Sequence, residues 1–257
     1  MKNFFIIFLC LLGGCATADL RSGRPVGDFS IDDQNKGREI LKQVALKGGY
    51  DPSNNYTQLD VTLIDHWPLT ILRLLTPLRS NHQKLHFIFG LKEIDVLMSY
   101  LDGPGAGDAL GIKDGKVFET TQGRTVYKNS DSIEVYCLHV RRYFLWPYVL
   151  AKMPVVAFLG EGKKFGLSYD LVFTGLSTKK ANHQEDQYVL WVNQQTHQVD
   201  FIEFTFRHFL NSYKGIVSYQ DYRDAQGISF AYNITLLDSF KRQEYLHQLL
   251  VQSIKLK

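Results

Sequence analysis

Several side chains in this 257-residue chain have types and spacings that invite a chemical reading. Ser168 sits in Gly166-Leu-Ser-Tyr-Asp170, near the Gly-x-Ser-x-Gly of a nucleophile elbow. Asp170 replaces the last glycine, however, and the segment alternates like a strand, where no strained turn would lift the hydroxyl. His82 and His86 are four apart, but no Glu follows His82 and the segment reads as extended, so no metal site is expected. Asp200 and Glu203 lie on one predicted strand at a spacing that points them to opposite faces, whereas carboxylates that act jointly must share a cleft. Cys137 falls on the apolar side of a predicted helix, the setting of a small hydrophobe and not of a nucleophile. Gly103, Gly105 and Gly107 are followed by no Lys-Ser/Thr pair, so the loop is not read as a phosphate cradle. The chain is therefore read as no enzyme, with no cofactor and no metal.

One residue does carry chemistry. After the positive start Met1-Lys-Asn, the apolar run Phe4–Leu12 is too short to cross a bilayer and reads as a signal peptide covering residues 1–14. Leu12-Gly13-Gly14-Cys15 matches a bacterial lipobox: two small residues before a cysteine whose thiol takes a diacylglycerol. Cys10 is a poorer candidate, because Leu9 before it is not small. A diacylglycerol and an N-acyl chain of palmitate type bury many CH₂ groups at about 0.8 kcal/mol each, so the anchor would be permanent. Ala16 lacks the aspartate that retains lipoproteins at the inner membrane, which favours the outer membrane, facing the periplasm. Residues 15–33 read as the lipidated cysteine and a flexible tether with Gly23, Pro25 and Gly27, and residues 34–257 as one domain.

The elements that must position any site follow from periodicity. Asp32 or Asp33 caps a predicted helix carrying Ile40, Leu41, Val44 and Leu46, closed by Gly48-Gly49. Strands are expected over Thr57–Trp67, Leu85–Phe89 and Ile94–Tyr100, and Lys113-Asp-Gly-Lys116 is a hairpin turn. Pro68–Pro77 is apolar, either a short helix over the sheet or a patch that touches lipid. Asp131 and Glu134 open a second helix, with Ile133, Cys137, Val140 and Phe144 at helical spacing and an end expected near Pro147. From Phe165 to Leu237 apolar and polar residues alternate with period two, a meander of antiparallel strands with a hairpin loop at Gln194–His197. Glu244–Lys257 is open to both helix and strand, with a helical turn running into a closing strand favoured.

Composition narrows the class. Without the signal peptide, Lys+Arg falls from 29 to 28 against 26 acidic residues, and no basic run suits a phosphate backbone, so nucleic acid is not expected. Once Cys10 is removed and Cys15 acylated, Cys137 is the only thiol, and stability must come from the core. With 45% hydrophobic and 13% aromatic residues, the chain can bury one sizeable core.

The order of lipobox, tether, helix, strands, helical interruption and strand meander resembles the LolA/LolB-type lipoprotein-carrier and lipoprotein-sorting superfamily. Tyr143–Pro154, Gly160–Asp170 and Asp186–His197 look still more like an uncharacterised branch of it. The resemblance implies an α+β fold: a curved antiparallel half-barrel with helices covering its concave face and a hydrophobic cavity between them. It carries over no catalytic residues. The function expected is an anchored envelope protein that binds a lipid or acyl chain, with Phe144, Trp146, Leu167, Tyr169, Leu171, Tyr188, Leu190, Phe230 and Tyr232 as candidate cavity lining. The alternative is a structural lipoprotein with a filled core that docks an envelope protein partner.

Overall fold

The computed structural model describes residues 17–21, 29–50, 55–178, 181–207, 212–240 and 244–257. The signal peptide, Cys15, Ala16 and the glycine-containing part of the expected tether lie outside the described residues. Thirteen antiparallel strands form a single open, curved sheet: β1 (Gln58–His66), β2 (His82–Gly90), β3 (Val96–Tyr100), β4 (Ala109–Lys113), β5 (Lys116–Thr121), β6 (Arg124–Tyr127), β7 (Val155–Lys164), β8 (Leu167–Gly175), β9 (Gln187–Asn193), β10 (Val199–Thr205), β11 (Lys214–Ala225), β12 (Ile228–Leu237) and β13 (Tyr245–Leu256).

The topology is two meanders joined at the middle. Strands run β6-β5-β4-β3-β2-β1-β13-β12-β11-β10-β9-β8-β7, so β1 pairs with β13 and the edges are β6 and β7. Those edges are consecutive in sequence. The link between them is helix α3 (Asp131–Val149), about 28 Å long at 1.5 Å per residue, which crosses the concave face. Helix α1 (Ile31–Lys47) packs against β7 and β8, and α2 (Thr70–Arg73) is a single turn between β1 and β2.

The strands obey the period-two pattern. Leu59, Val61 and Leu63 of β1 and Leu85, Phe87 and Phe89 of β2 face inward with no exposure, in one core with Ile133, Cys137, Val140 and Phe144 of α3. Ser30 caps α1 by accepting from the Asp33 N–H at 3.0 Å, two to three residues before the expected cap. Gly115, at φ +69°, makes the β4–β5 turn as its sequence requires. Gly37 serves a different need: a Cβ there would stand 2.8 Å from the Ala157 carbonyl carbon, so α1 meets β7 backbone to side-chain-free backbone.

Two elements differ from expectation. Helix α3 passes through Pro147 to Val149 and on into a 3₁₀ turn at Leu150–Lys152. The proline sits in the last turn, and beyond it Tyr148 is held by stacking on Tyr50 at 5.1 Å, by the Phe230 ring edge and by donating to the Ser229 carbonyl. Residues 245–256 form strand throughout, with no helical turn. A register shift between Ser253 and Val251 swaps the buried parity, so Leu249, Val251, Ile254 and Leu256 are all buried although two of them are three apart. That bulge spacing imitates a helical period.

Candidate functional site

Antiparallel pairing puts the ends of β8, β10, β12 and β1 and the starts of β9, β11, β13 and β2 on one rim of the sheet. At this rim a cavity of about 260 Å³ opens between the first three turns of α3 and the sheet. Ser132, Val135, Tyr136, His139, Val140 and Tyr143 line it from α3; Phe204, Leu236, Leu246 and His247 from the strands; Phe206 and Tyr213 from just beyond β10 and just before β11; and Trp67, Leu72, Leu75 and Thr76 from the β1–β2 connection. The wall is mostly hydrocarbon and aromatic. Its size lies just below the roughly 300–1,000 Å³ of small-molecule sites and suits a single chain or ring system.

A polar cluster stands beneath one side of the cavity. Asp65 follows Leu59, Val61 and Leu63 in the inward register of β1 and is fully buried. Its Oδ2 accepts from the Tyr136 hydroxyl at 2.5 Å and lies 2.9 Å from His247 Nε2. The His247 ring stacks on Trp67 at 4.1 Å with planes 16° apart. Burial, and then the adjacent carboxylate, pushes the Tyr136 phenol well above its ordinary range, so it is a fixed donor. Asp65 Oδ1 and Trp67 Nε1 have no hydrogen-bond partner among the described residues. Through Tyr136, Trp67 and His247 the cluster gives a polar side to a mostly apolar cavity, and no group of three or more His, Cys, Asp or Glu among the described residues could hold a metal.

None of the nine residues named from sequence borders this cavity. Phe144, Leu190 and Phe230 are buried in the concave core, and Phe144 packs on Phe89 at 5.7 Å. Trp146 stands among Tyr143, Tyr188 and Phe204, one layer behind the cavity wall. Tyr232 is half-buried beneath Arg223, 4.6 Å from its ring. Between α3 and β11–β12, where Phe144 and Phe230 meet, only about 10 Å³ remains. Leu167, Tyr169 and Leu171 lie on the other face of the sheet: Tyr169 and Leu171 join Trp191, Phe201 and Phe240 in a second aromatic cluster, and Leu167 is exposed.

That outer cluster also gathers Asp200 and Glu203. A register shift between Val199 and Phe201 brings Asp200 to accept from Tyr169 at 3.0 Å, while Glu203 accepts from Trp191 Nε1 at 2.7 Å. The expectation of opposite faces failed because a bulge breaks the alternation. Each carboxylate is held by an aromatic donor of the same cluster.

The N-terminal end of the expected tether is docked. Leu20 is buried against Val155, Ala157, Phe173 and Val189 on the outer face, and its N–H donates to Gln187 Oε1 at 2.9 Å. Arg207 donates to the Ala18 carbonyl, Lys214 Nζ to the Asp19 carbonyl at 3.0 Å, and Arg21 Nη1 to the Thr178 carbonyl at 2.6 Å. Gln187, Arg207 and Lys214 all belong to the rim that bears the cavity mouth. Few large apolar residues mark this stretch, so no hydrophobic period signalled its docking.

An open, curved antiparallel sheet closed over a long helix defines a LolA-like fold, and that is the fold of this chain. Among solved structures it is similar to the lipoprotein-sorting protein domain from Vibrio parahaemolyticus (10% identity, TM-score 0.52, covering 87% of this chain and 93% of that one). A LolA superfamily protein from Nitrosomonas europaea aligns at 13% identity and TM-score 0.50 over 86% and 93% of the two chains. A DUF1329 family protein from Desulfovibrio piger aligns at 7% identity and TM-score 0.54 over 88% and 93%. At these identities the likeness is one of fold. No family model and no curated protein matches the sequence.

Proposed function

We propose that this protein is a bacterial envelope lipoprotein, anchored through Cys15, that binds one acyl chain of a lipid or lipoprotein in the cavity between α3 and the sheet, without catalysis. The observation that carries the reading is the 260 Å³ apolar cavity open at the rim of a LolA-like fold. One of the similar structures is described as a lipoprotein-sorting domain, which is the same class of cargo. Burial of a chain there gains about 25 cal/mol per Å² of apolar surface, enough to hold an amphiphile with no bond made or broken. The lipobox supports an envelope location, outer membrane by Ala16.

The reading is tested by titrating the protein with a fluorescent phospholipid. Val135 lines the cavity on α3 and is half-buried, so Val135→Trp fills the space with little cost elsewhere. Probe binding by the native chain and its loss in Val135→Trp, with unchanged melting, is the expected result. Equal binding by both would place the ligand elsewhere.

The nearly complete filling behind Phe144 and Phe230 favours one other reading, a lipoprotein whose folded body docks a protein partner in the envelope. A native chain that ignores every amphiphile would support it.

A further inference from the structure

The rim that holds the cavity mouth carries two further features. On one side, Ala18–Leu20 is clamped to it by Gln187, Arg207 and Lys214. Cys15 is three residues before Ala18, and three residues span at most about 11 Å. An anchor on Cys15, if the lipobox is read so, would thus join the described chain close to this rim. On the other side, the β1–β2 connection projects α2, which buries none of its residues. Ile71 and Leu74 are each 64% exposed and Leu75 67%, while Leu72 and Leu75 form part of the cavity wall. This is an apolar tip joined directly to the cavity.

We propose that this rim is the membrane-contacting surface, with Ile71, Leu74 and Leu75 entering the headgroup region so that the cavity mouth opens onto the bilayer. The inference rests on the reading of Cys15 as the anchor. The flexible tether expected from sequence would have left the domain able to rotate, whereas the docked segment fixes which end meets the lipid. Burying exposed leucines in the interface is favourable in itself, and the anchor removes most of the entropic cost of doing so. The opposite rim has no such combination among the described residues: there the ends of α1 and α3 pack on Ser229, through the Ser229 N–H to the Gly48 carbonyl and the Tyr148 hydroxyl to the Ser229 carbonyl.

The test uses the full acylated protein reconstituted into phosphatidylethanolamine/phosphatidylglycerol vesicles, carrying one nitroxide at Ile71→Cys, Leu74→Cys or Leu46→Cys. Leu46, 65% exposed near the end of α1, is the control of equal exposure at the opposite rim. Labels at positions 71 and 74 should be more accessible to oxygen than to a water-soluble nickel chelate, with the ratio inverted at 46. The inference is overturned if all three labels meet the chelate equally while the protein floats with the vesicles. If the protein does not float, the anchoring itself is wrong and the inference falls with it.

Discussion

Asp65 and His247 are paired at 2.9 Å in the middle of the sheet, on adjacent strands β1 and β13, with the carboxylate fully buried and the imidazole 3% exposed. The pair joins the first and last strands of the domain beside the cavity, with Tyr136 of α3 as a third partner. A buried carboxylate left with no partner is far costlier than one that is bonded.

Changing His247 to Ala leaves the buried Asp65 carboxylate with the Tyr136 hydroxyl as its remaining partner and removes the ring that stacks on Trp67. The expected loss is about 2–4 kcal/mol of unfolding free energy, from one hydrogen bond lost to a buried carboxylate and the space the ring leaves, read by urea denaturation. A change below about 1 kcal/mol would mean that water replaces the imidazole and that the cluster is not a structural tie.

At Gly37 of α1 an added Cβ would stand 2.8 Å from the Ala157–Phe158 backbone of β7. Gly37→Val should push the helix off the β7 backbone and cost about 1–3 kcal/mol, with faster proteolysis around α1. Gly37→Ala should lie between the two. A neutral Val variant would show that the contact is looser than 2.8 Å implies.

Glu203 gives a pH signature. Burial raises its carboxyl above the usual range, opposed by the Trp191 hydrogen bond and by the Lys214 and Lys164 charges. The folded state then holds its proton more tightly than the unfolded one, so this group's effect on stability grows unfavourable as pH rises through the ordinary glutamate range towards the raised value. Glu203→Gln, which can still accept from Trp191, should gain stability relative to the native chain over that interval and keep the gain at neutral pH. Parallel stability curves for the two proteins from pH 4 to 7 would refute the assignment.

Acylation is predicted at Cys15 alone. Cells fed an alkynyl palmitate should label the native protein and Cys10→Ala, but not Cys15→Ala. Label retained in Cys15→Ala would remove the basis for anchoring.

Much of the fold was legible in the sequence because its strands bury one face. Leu59, Val61 and Leu63, or Leu85, Phe87 and Phe89, announce their strands by simple alternation, while the curved α+β half-barrel came from the resemblance to LolA/LolB-type proteins and not from the alternation. The site was much less legible. Asp65 and His247 fall on the buried parity of β1 and β13, the one signal that could have found them, but they pair across 182 residues of chain. The named lining residues were apolar and on alternating strands, yet alternation alone does not say which face of β8 meets α3. Tyr169 and Leu171 face away from it, and Phe144 and Phe230 fill the core that the cavity leaves empty only nearer the rim. Bulges at Val199/Phe201 and near Ser253 are likewise invisible to a fixed period, and they moved Asp200 and disguised β13.

The central claim is occupation of the cavity at the α3 rim by an acyl chain. Native mass spectrometry of the acylated protein, released from detergent after purification from bacterial membranes, tests it most directly. The account predicts a stoichiometric lipid adduct beyond the mass of the Cys15 modification, present in the native chain and missing from Val135→Trp. A clean mass in the native chain that also takes up no added phospholipid or fatty acid would contradict it.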